Sequence, residues 1–245
     1  MKRALNEAKE ALASKGFEMV PIKFSDEDIK EAGLIYRGLI LNYHIGPIME
    51  NLYNNYEEPM PSYKYSMILY RSNFIIRGLF LGIIKLTGNN RLFEAAKTAK
   101  PLPQTELNRL LKRQKELMLK MKGLWNDWNI EAILQPSYLS VAFKHEHAPD
   151  MGVFIDYLNF WSLFHYPAGI VPVSKTNLEE ENGEDYLDNF NDKWTKVTRE
   201  DIKASANLPL SVTIVARPWE DEIVCGVMKA LDETINFSMN PPLIK

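Results

Sequence analysis

Apolar residues recur every three or four positions along much of the chain, a spacing typical of amphipathic helices. The first such segment predicts an N-terminal helix closed by Gly16. A second begins at Ser25 and continues until Gly46 and Pro47 bend or interrupt it. The longest runs from Thr105 to Trp128, with charged residues between its leucines, and predicts a helix with one face against a core.

Short continuous apolar runs lie between the helices and predict strands. They are FEMVPIKF, IEAILQP, GIVPV and LPLSVTIVARPW, the last of which predicts a buried strand. A closing helix follows, and Glu220, Asp221 and Glu222 at its start favour the helix macrodipole. No internal repeat or long linker divides the sequence, so we predict one domain of the α/β class over residues 1–245.

A Pro-Ala-Gly turn separates an aromatic segment from the strand GIVPV. Pro172 lacks a ladder donor, so we expect the hydrogen bonding of this strand to end there and the strand end to face a cleft. Phe160, Trp161 and Phe164 precede the turn, where they could wall an apolar pocket. The alternative is that they belong to the core of the helix, the commoner place for aromatic side chains.

A second apolar segment, from Tyr63 to Gly88, contains no acidic residue. On a helical wheel most of its apolar side chains share one broad arc, and the basic side chains fall on the other. Its longest uncharged run, Gly78 to Ile84, is far shorter than the ~20 residues that cross a bilayer. We therefore predict a helix lying in the membrane interface, the alternative being a core helix. The predicted membrane contacts are Ile68, Arg71, Phe74, Ile75, Arg77, Leu79, Phe80 and Ile83.

Composition narrows the choice of partner and compartment. A net charge of -3 and a sequence pI near 5.9 offer no overall attraction to nucleic acid. Cys225 is the one cysteine of the sequence, which excludes an internal disulfide, and the charged N-terminus lacks the apolar core of a signal peptide. We predict an intracellular protein with peripheral, monotopic membrane association. His145 and His147 are too isolated to predict a metal site, and no cofactor is expected.

The runs IDYLNFWSLFHYPAGIVPVS and ANLPLSVTIVARPWEDEIVCGVMKALDE resemble the C-terminal part of amidase signature enzymes. The segment HYPAGIVPVS and the preceding segment WNDWNIEAILQP are most similar to the fatty-acid amide hydrolase branch of this family. The resemblance implies a partial amidase signature fold, with a mixed β-sheet flanked by helices and an amphipathic helical cap at about residues 60–100. It also implies a wall that binds a lipid-like amide or its acyl chain, formed by Phe160, Trp161, Phe164, Ile170, Val173 and Trp194.

Amidase signature enzymes hydrolyse amide bonds with a Lys, a Ser in a cis peptide and a nucleophilic Ser on a Gly/Ser-rich segment. This sequence has 12 glycines, none of them in a Gly-Gly or Gly-Ser-Ser cluster, and its serines are scattered. Acyl transfer needs an activated hydroxyl next to a base, together with donors for the oxyanion. We therefore assign no catalytic residue, and the resemblance implies the C-terminal portion of such an enzyme.

Two functions remain open from the sequence. The chain is either a portion of a membrane-associated serine amidase, working with a complementing N-terminal half, or a stand-alone protein without catalysis that binds lipid or a partner. A homodimer is a further expected assembly. The strand edges separate the two hypotheses, because LPLSVTIVA or GIVPV would stay unpaired if a larger sheet were halved. Val212 to Ala216 carries no charge or proline to protect such an edge, which favours the first hypothesis.

Overall fold

The protein is described from a computed structural model. It covers residues 1–57, 64–88, 90–151, 156–177, 179, 182–183, 186, 188 and 190–239. In chain order the helices are α1 (Lys2–Ser14), α2 (Asp26–Ile40), α3 (Gly46–Asn54), α4 (Lys64–Arg71), α5 (Phe74–Leu86), α6 (Asn90–Thr98), α7 (Gln104–Trp128), α8 (Ala148–Met151), α9 (Asp156–Leu163), α10 (Lys193–Lys203) and α11 (Asp221–Ile235). The architecture is mixed α/β and mostly helical.

Three strands form the sheet of the described residues: β1 (Ala132–Pro136), β2 (Ala168–Lys175) and β3 (Pro209–Ala216), in the order β1-β3-β2. Both pairings are antiparallel, so the predicted mixed sheet is wrong for these strands. β3 carries the run LPLSVTIVA and lies in the centre, whereas GIVPV lies at an edge. The β2 ladder continues past Pro172 to Lys175, with a bulge between Pro172 and Ser174, so the expected end of the hydrogen bonding at Pro172 is wrong.

The sheet is covered on both faces. Leu210, Val212 and Ile214 of β3 pack with α1 and α11, forming one apolar cluster with residues such as Ala8 and Leu231. Val215 points the other way and packs with the aromatic side chains of α7 and α9. The alternation follows from the two-residue period of a strand. A central strand buried on both faces explains why the β3 sequence is apolar almost throughout.

Residues 17–24, FEMVPIKF, do not form the predicted strand. They run as irregular chain between α1 and α2, and Pro21 in their middle removes a donor that a ladder would need. Met19 packs against the α1 and α11 side of the core, while Phe24 joins the aromatic cluster beside α9. Packing on the core thus accounts for Met19 and Phe24, whereas Phe17 and Val20 are exposed.

The predicted start of α2 is confirmed, since the Ser25 side chain accepts a hydrogen bond from the Asp28 N–H at 3.1 Å. The helix does not break at Gly46 but passes through a π-helical turn, Leu41–Ile45, into α3. A side chain at Gly46 would lie 2.6 Å from the Tyr70 ring of α4. Glycine therefore permits the close approach of these two helices.

The segment predicted as one interfacial helix is two helices in the structure, α4 and α5. The Asn73 side chain accepts from the Ile76 N–H at 3.0 Å and starts α5. The beginning of the segment, at residue 63, and the first part of the cap range, residues 60–63, lie outside the described residues. α6 then packs against α5, so a small helical unit stands beside α2.

Candidate functional site

Helix α5 exposes a broad apolar face. Phe74 is 80% exposed and Leu86 is 89% exposed, values that are unusual for side chains of this size. The large apolar side chains exposed along α5 are Phe74, Ile75, Ile76, Leu79, Ile83 and Leu86. Gly78 and Gly82 lie on the same face with open space above them, so the described residues leave this face uncovered.

The opposite face of α5 points into the protein. Ile84 is buried in a small cluster with Leu41, Leu69 and Ala96, and Phe80 packs against it. A surface helix of a soluble domain normally has its apolar stripe inside and polar residues outside. α5 is apolar on both sides, and its outer face therefore offers the kind of continuous apolar patch that marks a binding surface.

Arg77 holds the corner between α4 and α5. Its guanidinium donates to the Leu69 carbonyl at 3.2 Å and to the Ser72 carbonyl at 2.7 Å. These bonds satisfy carbonyl groups at the C-terminal end of α4 that have no partner within the helix. Arg77 is thus partly used within the fold, and its predicted contact with the membrane stays a prediction.

A shallow groove of about 360 Å³ lies between α5 and the end of α6. Its floor is apolar, from Phe74 and Leu81, and its cationic groups are Arg77, Lys97 and Lys100. Lys97 pairs with Glu94 at 2.6 Å, an exposed pair of little energetic weight. Basic groups therefore border the apolar face on one side.

The other predicted membrane contacts fall into two groups. Ile68, Phe74, Ile75, Leu79 and Ile83 are exposed, as is Arg71, whereas Phe80 is partly buried. Four of the eight predicted residues, Phe74, Ile75, Leu79 and Ile83, share the exposed face of α5. Their contact with lipid is not tested by these coordinates and stays a prediction.

The predicted acyl-binding residues do not form one wall. Phe160, Trp161 and Phe164 pack edge to face, with ring centroids 5.0 and 5.1 Å from Phe160, inside the core between α7, α9 and β3. Val173 is buried on the opposite side of the sheet. Their role in binding an acyl chain stays a prediction, and the close packing places these side chains in the core.

Ile170 and Trp194 lie apart from that aromatic core. Ile170 is 55% exposed on the edge strand β2. Trp194 is buried at the start of α10, against Met151 and Val197. Of the six residues, Ile170 is therefore the one that a ligand can reach directly.

Sequence reasoning missed a charged cluster around Arg91 of α6. The guanidinium donates to both carboxylate oxygens of Asp192, at 2.8 and 2.5 Å, and to Asp188 at 3.1 Å. It also lies 4.8 Å from the Phe190 ring centroid and 5.6 Å from that of Trp194. This cluster ties the α5–α6 unit to the start of α10, and its members are about 100 positions apart, so no local pattern could reveal it.

Burial by itself would lower the pKa of the Arg91 guanidinium, but the hydrogen bonds and charges of the two aspartates outweigh it and raise that pKa. Burial would likewise raise the pKa of Asp192, yet hydrogen bonds from Arg91 and from the Thr195 N–H hold it below its usual value. Asp192 also caps α10 through the Trp194 and Thr195 N–H groups. The cluster therefore stays ionised near neutral pH.

His147 lies beside α10, where its Nδ1 is 2.7 Å from the Asp201 carboxylate. Burial raises the pKa of the neighbouring Tyr138 to about 12. Among the described residues no group of three His, Cys, Asp or Glu side chains is placed to hold a metal ion. The histidine serves as a link between the loop after β1 and α10.

Comparison with known proteins gives a consistent relationship. No family model matches the chain. It is 29% identical over 118 residues to fatty-acid amide hydrolase 1 of Sus scrofa and 25% identical over 112 residues to fatty acid amide hydrolase 1 of Caenorhabditis elegans. These matches cover 48% and 45% of this chain. This chain is a relative of the fatty-acid amide hydrolases.

The solved structure of a fatty acid amide hydrolase supports the relationship at the level of the fold. It superposes with a TM-score of 0.70 at 15% identity, over 96% of this chain and 37% of that chain. The matched segments span about one fifth of the length of the curated relatives. Within the described part of this fatty-acid amide hydrolase-like chain, no helix combines the length and apolar character needed to cross a membrane.

Proposed function

We propose that this chain forms part of a fatty-acid amide hydrolase-like lipid amidase and supplies its membrane-facing surface. The observation that carries the proposal is the exposed apolar face of α5. In water such a face is costly, at about 25 cal/mol for each Å² of apolar surface. Insertion at the boundary between lipid headgroups and acyl chains removes that cost.

The surroundings of α5 suit an interface better than a bilayer span. The helix has 13 residues, against the ~20 that a span requires. Lys97 and Lys100 border the groove next to its apolar face, at a depth where they would meet lipid phosphates. The α5–α6 unit therefore lies on the membrane, with α5 inserted and the basic groups at headgroup level.

Lipid amides are the substrate class proposed from the related enzymes. An amide with a long acyl chain partitions into the bilayer, so an amidase that rests on the membrane meets its substrate there. Hydrolysis itself needs a nucleophile, a base and oxyanion donors, which we propose are supplied by residues outside this sequence. The part played by this chain is to bind lipid and to position the amidase at the surface.

Vesicle binding tests the membrane-facing surface. Leu79→Asp places a charge in the middle of the exposed α5 face, and Leu119→Asp makes the same change on the exposed face of α7. We expect the first variant to bind vesicles of mixed neutral and anionic phospholipid at least ~10-fold more weakly, since charge at this position is expensive in lipid. The α7 variant should bind like the wild type, as measured by co-sedimentation. Equal binding of both variants would contradict the proposal.

Activity-based labelling tests the catalytic part separately. A fluorophosphonate probe labels a serine activated by a base, and we expect no labelling of this chain, because no such serine is assigned. Stoichiometric labelling would show that a nucleophile is present in the chain. A stand-alone lipid-binding protein would be supported by a different combination of results. The chain would bind vesicles and escape labelling, and no larger amidase in the cell would contain it or bind to it.

A further inference from the structure

The groove between α5 and the end of α6 combines an apolar lining with basic groups. Its volume of about 360 Å³ is at the lower end for sites that hold a small organic molecule. Phe74 and Leu81 supply the apolar lining, and Gly78 has open space where a side chain would lie. A groove of this size suits one alkyl chain better than the two chains of a phospholipid.

Arg77 lines this groove and keeps part of its guanidinium available. Its Nε and Nη2 donate to the carbonyl groups of Leu69 and Ser72, which hold the planar group in place. Nη1 carries two further N–H donors, and no group among the described residues accepts from them. A guanidinium that is already ordered loses little further freedom when it binds a carboxylate.

Lys100 lines the groove from a backbone segment that Asn42 fixes. The Asn42 amide donates to the Lys100 carbonyl at 3.3 Å, and its oxygen accepts from the Leu102 N–H at 2.8 Å. The side chain of Lys100 is exposed, and its ammonium makes no ion pair with any described residue. The position of the residue is therefore set by the fold, while its charge is available to a ligand.

The charge around the groove is positive. Glu94 is the one acidic residue between positions 59 and 105. It pairs with Lys97 at 2.6 Å and also attracts Arg37 of α2. Within the described part of the chain, Arg77 and Lys100 thus have no carboxylate partner. Two such cations beside an apolar lining complement an amphiphile with one apolar chain and an anionic head.

We propose that this groove binds a free long-chain fatty acid. The chain lies along Phe74, Gly78 and Leu81, and the carboxylate lies between Arg77 and Lys100. The choice of occupant rests on the proposed function, since hydrolysis of a fatty-acid amide adds water, breaks the C–N bond and releases a carboxylate and an amine. A phospholipid carries a similar anionic head, but its second chain does not fit the groove. The surface that meets the membrane thereby also selects one lipid within it.

NMR titration of the full chain with decanoate in solution tests the ligand. We expect a dissociation constant of ~1 mM or lower, the range for a ligand of this size. Decyltrimethylammonium has the same chain and the opposite charge, and it should bind at least ~10-fold more weakly. Equal binding of the two ions would overturn the proposal. Tighter binding of dihexanoyl phosphatidate than of decanoate would overturn the choice of a fatty acid over a phospholipid.

Removing one charge tests the position of the carboxylate. Lys100→Gln keeps the length of the side chain and removes its charge, so it should weaken decanoate binding by ~5-fold or more. Lys122→Gln makes the same change at an exposed position of α7 and serves as the control. Equal affinity of the two variants for decanoate would contradict a carboxylate at Lys100.

Filling the groove tests the position of the chain. Gly78 and Gly82 both lie in α5 with open space above them, but of the two only Gly78 lines the groove. Gly78→Leu should therefore abolish decanoate binding, whereas Gly82→Leu should retain it. Neither change meets another atom of the fold, and both replace glycine within a helix, so the folded state should be kept. Retained binding by Gly78→Leu would place the ligand elsewhere and overturn the proposal.

The titrations contain no bilayer, so they separate this proposal from the proposed membrane surface. If decanoate fails to bind while Leu79→Asp weakens vesicle binding, the fatty-acid site is wrong and the membrane surface stands. If decanoate binds as expected while Leu79→Asp leaves vesicle binding unchanged, the groove stands and the membrane surface is wrong.

Discussion

Helices α5 and α9 are both apolar and both short, yet the structure places them in opposite environments. α9, together with Phe164 just after it, lies under α2 and α7, and its aromatic side chains pack against the sheet. α5 has α6 on one side and leaves Phe74 and Leu79 uncovered on the other. The comparison shows that an apolar helix becomes part of the core where neighbouring elements cover it, and keeps an exposed apolar face where the described residues do not cover it.

The difference has an energetic meaning. Truncating a side chain in the α9 region leaves a cavity in close-packed surroundings. Truncating one on the outer face of α5 creates no cavity and only reduces the apolar area exposed to water. The two regions should therefore respond differently to the same substitutions. We expect stability to report on α9 and, under the proposed function, lipid binding to report on α5.

The largest expected effect is at Phe164, which is fully buried beside Phe160 and Tyr166. Phe164→Ala should lower the free energy of unfolding by ~3–5 kcal/mol, through lost burial and the cavity left behind. The matched change Phe74→Ala on α5 should alter it by less than ~0.5 kcal/mol. Urea denaturation of both variants measures this. Similar losses at the two sites would mean that α5 is covered in the folded protein.

The next effect concerns the attachment of the α5–α6 unit. Arg91→Ala removes the cation between Asp188 and Asp192 and leaves two partly buried carboxylates without it. We expect the free energy of unfolding to fall by ~2–4 kcal/mol. This is less than the largest losses for fully buried ion pairs, because the site stays partly exposed to solvent. Hydrogen exchange should also rise in α5 and α6 more than in α9. Uniform exchange across these helices would contradict a specific attachment.

Acid should weaken the same attachment. Burial would raise the pKa of Asp188, but hydrogen bonds from the Asn191 N–H and from Thr195 outweigh it, so this pKa, like that of Asp192, lies below the usual value. Carboxylates with a lowered folded-state pKa stabilise the fold above about pH 4 and lose this effect as the pH falls through the folded pKa. We therefore expect stability to fall over that range. Asp192→Asn should reduce the slope of stability against pH, whereas Asp26→Asn, at an exposed position in the first turn of α2, serves as the control.

The smallest effect is at the start of α5. Asn73→Ala removes the cap that accepts from the Ile76 N–H and should cost ~0.5–1 kcal/mol. Ser25→Ala makes the equivalent change at α2, which packs on the core. Both losses should appear in thermal melts, but only the change at Asn73 should also weaken vesicle binding. Weaker vesicle binding by the Ser25 variant as well would point to a general loss of structure.

Local signals along the chain determined much of the fold. The apolar periodicity of α1, α2 and α7, the cap at Ser25 and the apolar runs of β1, β2 and β3 predicted those elements, because each depends on neighbouring residues only. The strand expected at residues 17–24 is wrong, and Met19 and Phe24 pack instead against two different parts of the core. Periodicity cannot distinguish strand pairing from such packing.

The sequence predicted only part of the candidate site. The sequence indicated a membrane surface through the apolar and basic residues of α5 and through the lack of acidic residues between Tyr63 and Gly88. This pattern is local, so it can be read from neighbouring residues. Whether Phe160, Trp161 and Phe164 are core or pocket wall depended on which elements cover them. The Arg91 cluster joins residues far apart in the chain, so its existence depended on the tertiary arrangement.

The sequence by itself determined the α/β class, most of the helices and strands, and a relationship to fatty-acid amide hydrolases. Only the tertiary structure decided that GIVPV is the edge strand and LPLSVTIVA the central one, because strand order is set by contacts between distant segments. It also decided that α9 is buried while the outer face of α5 is open. Burial depends on the whole fold, and a residue's own neighbours in sequence do not determine it.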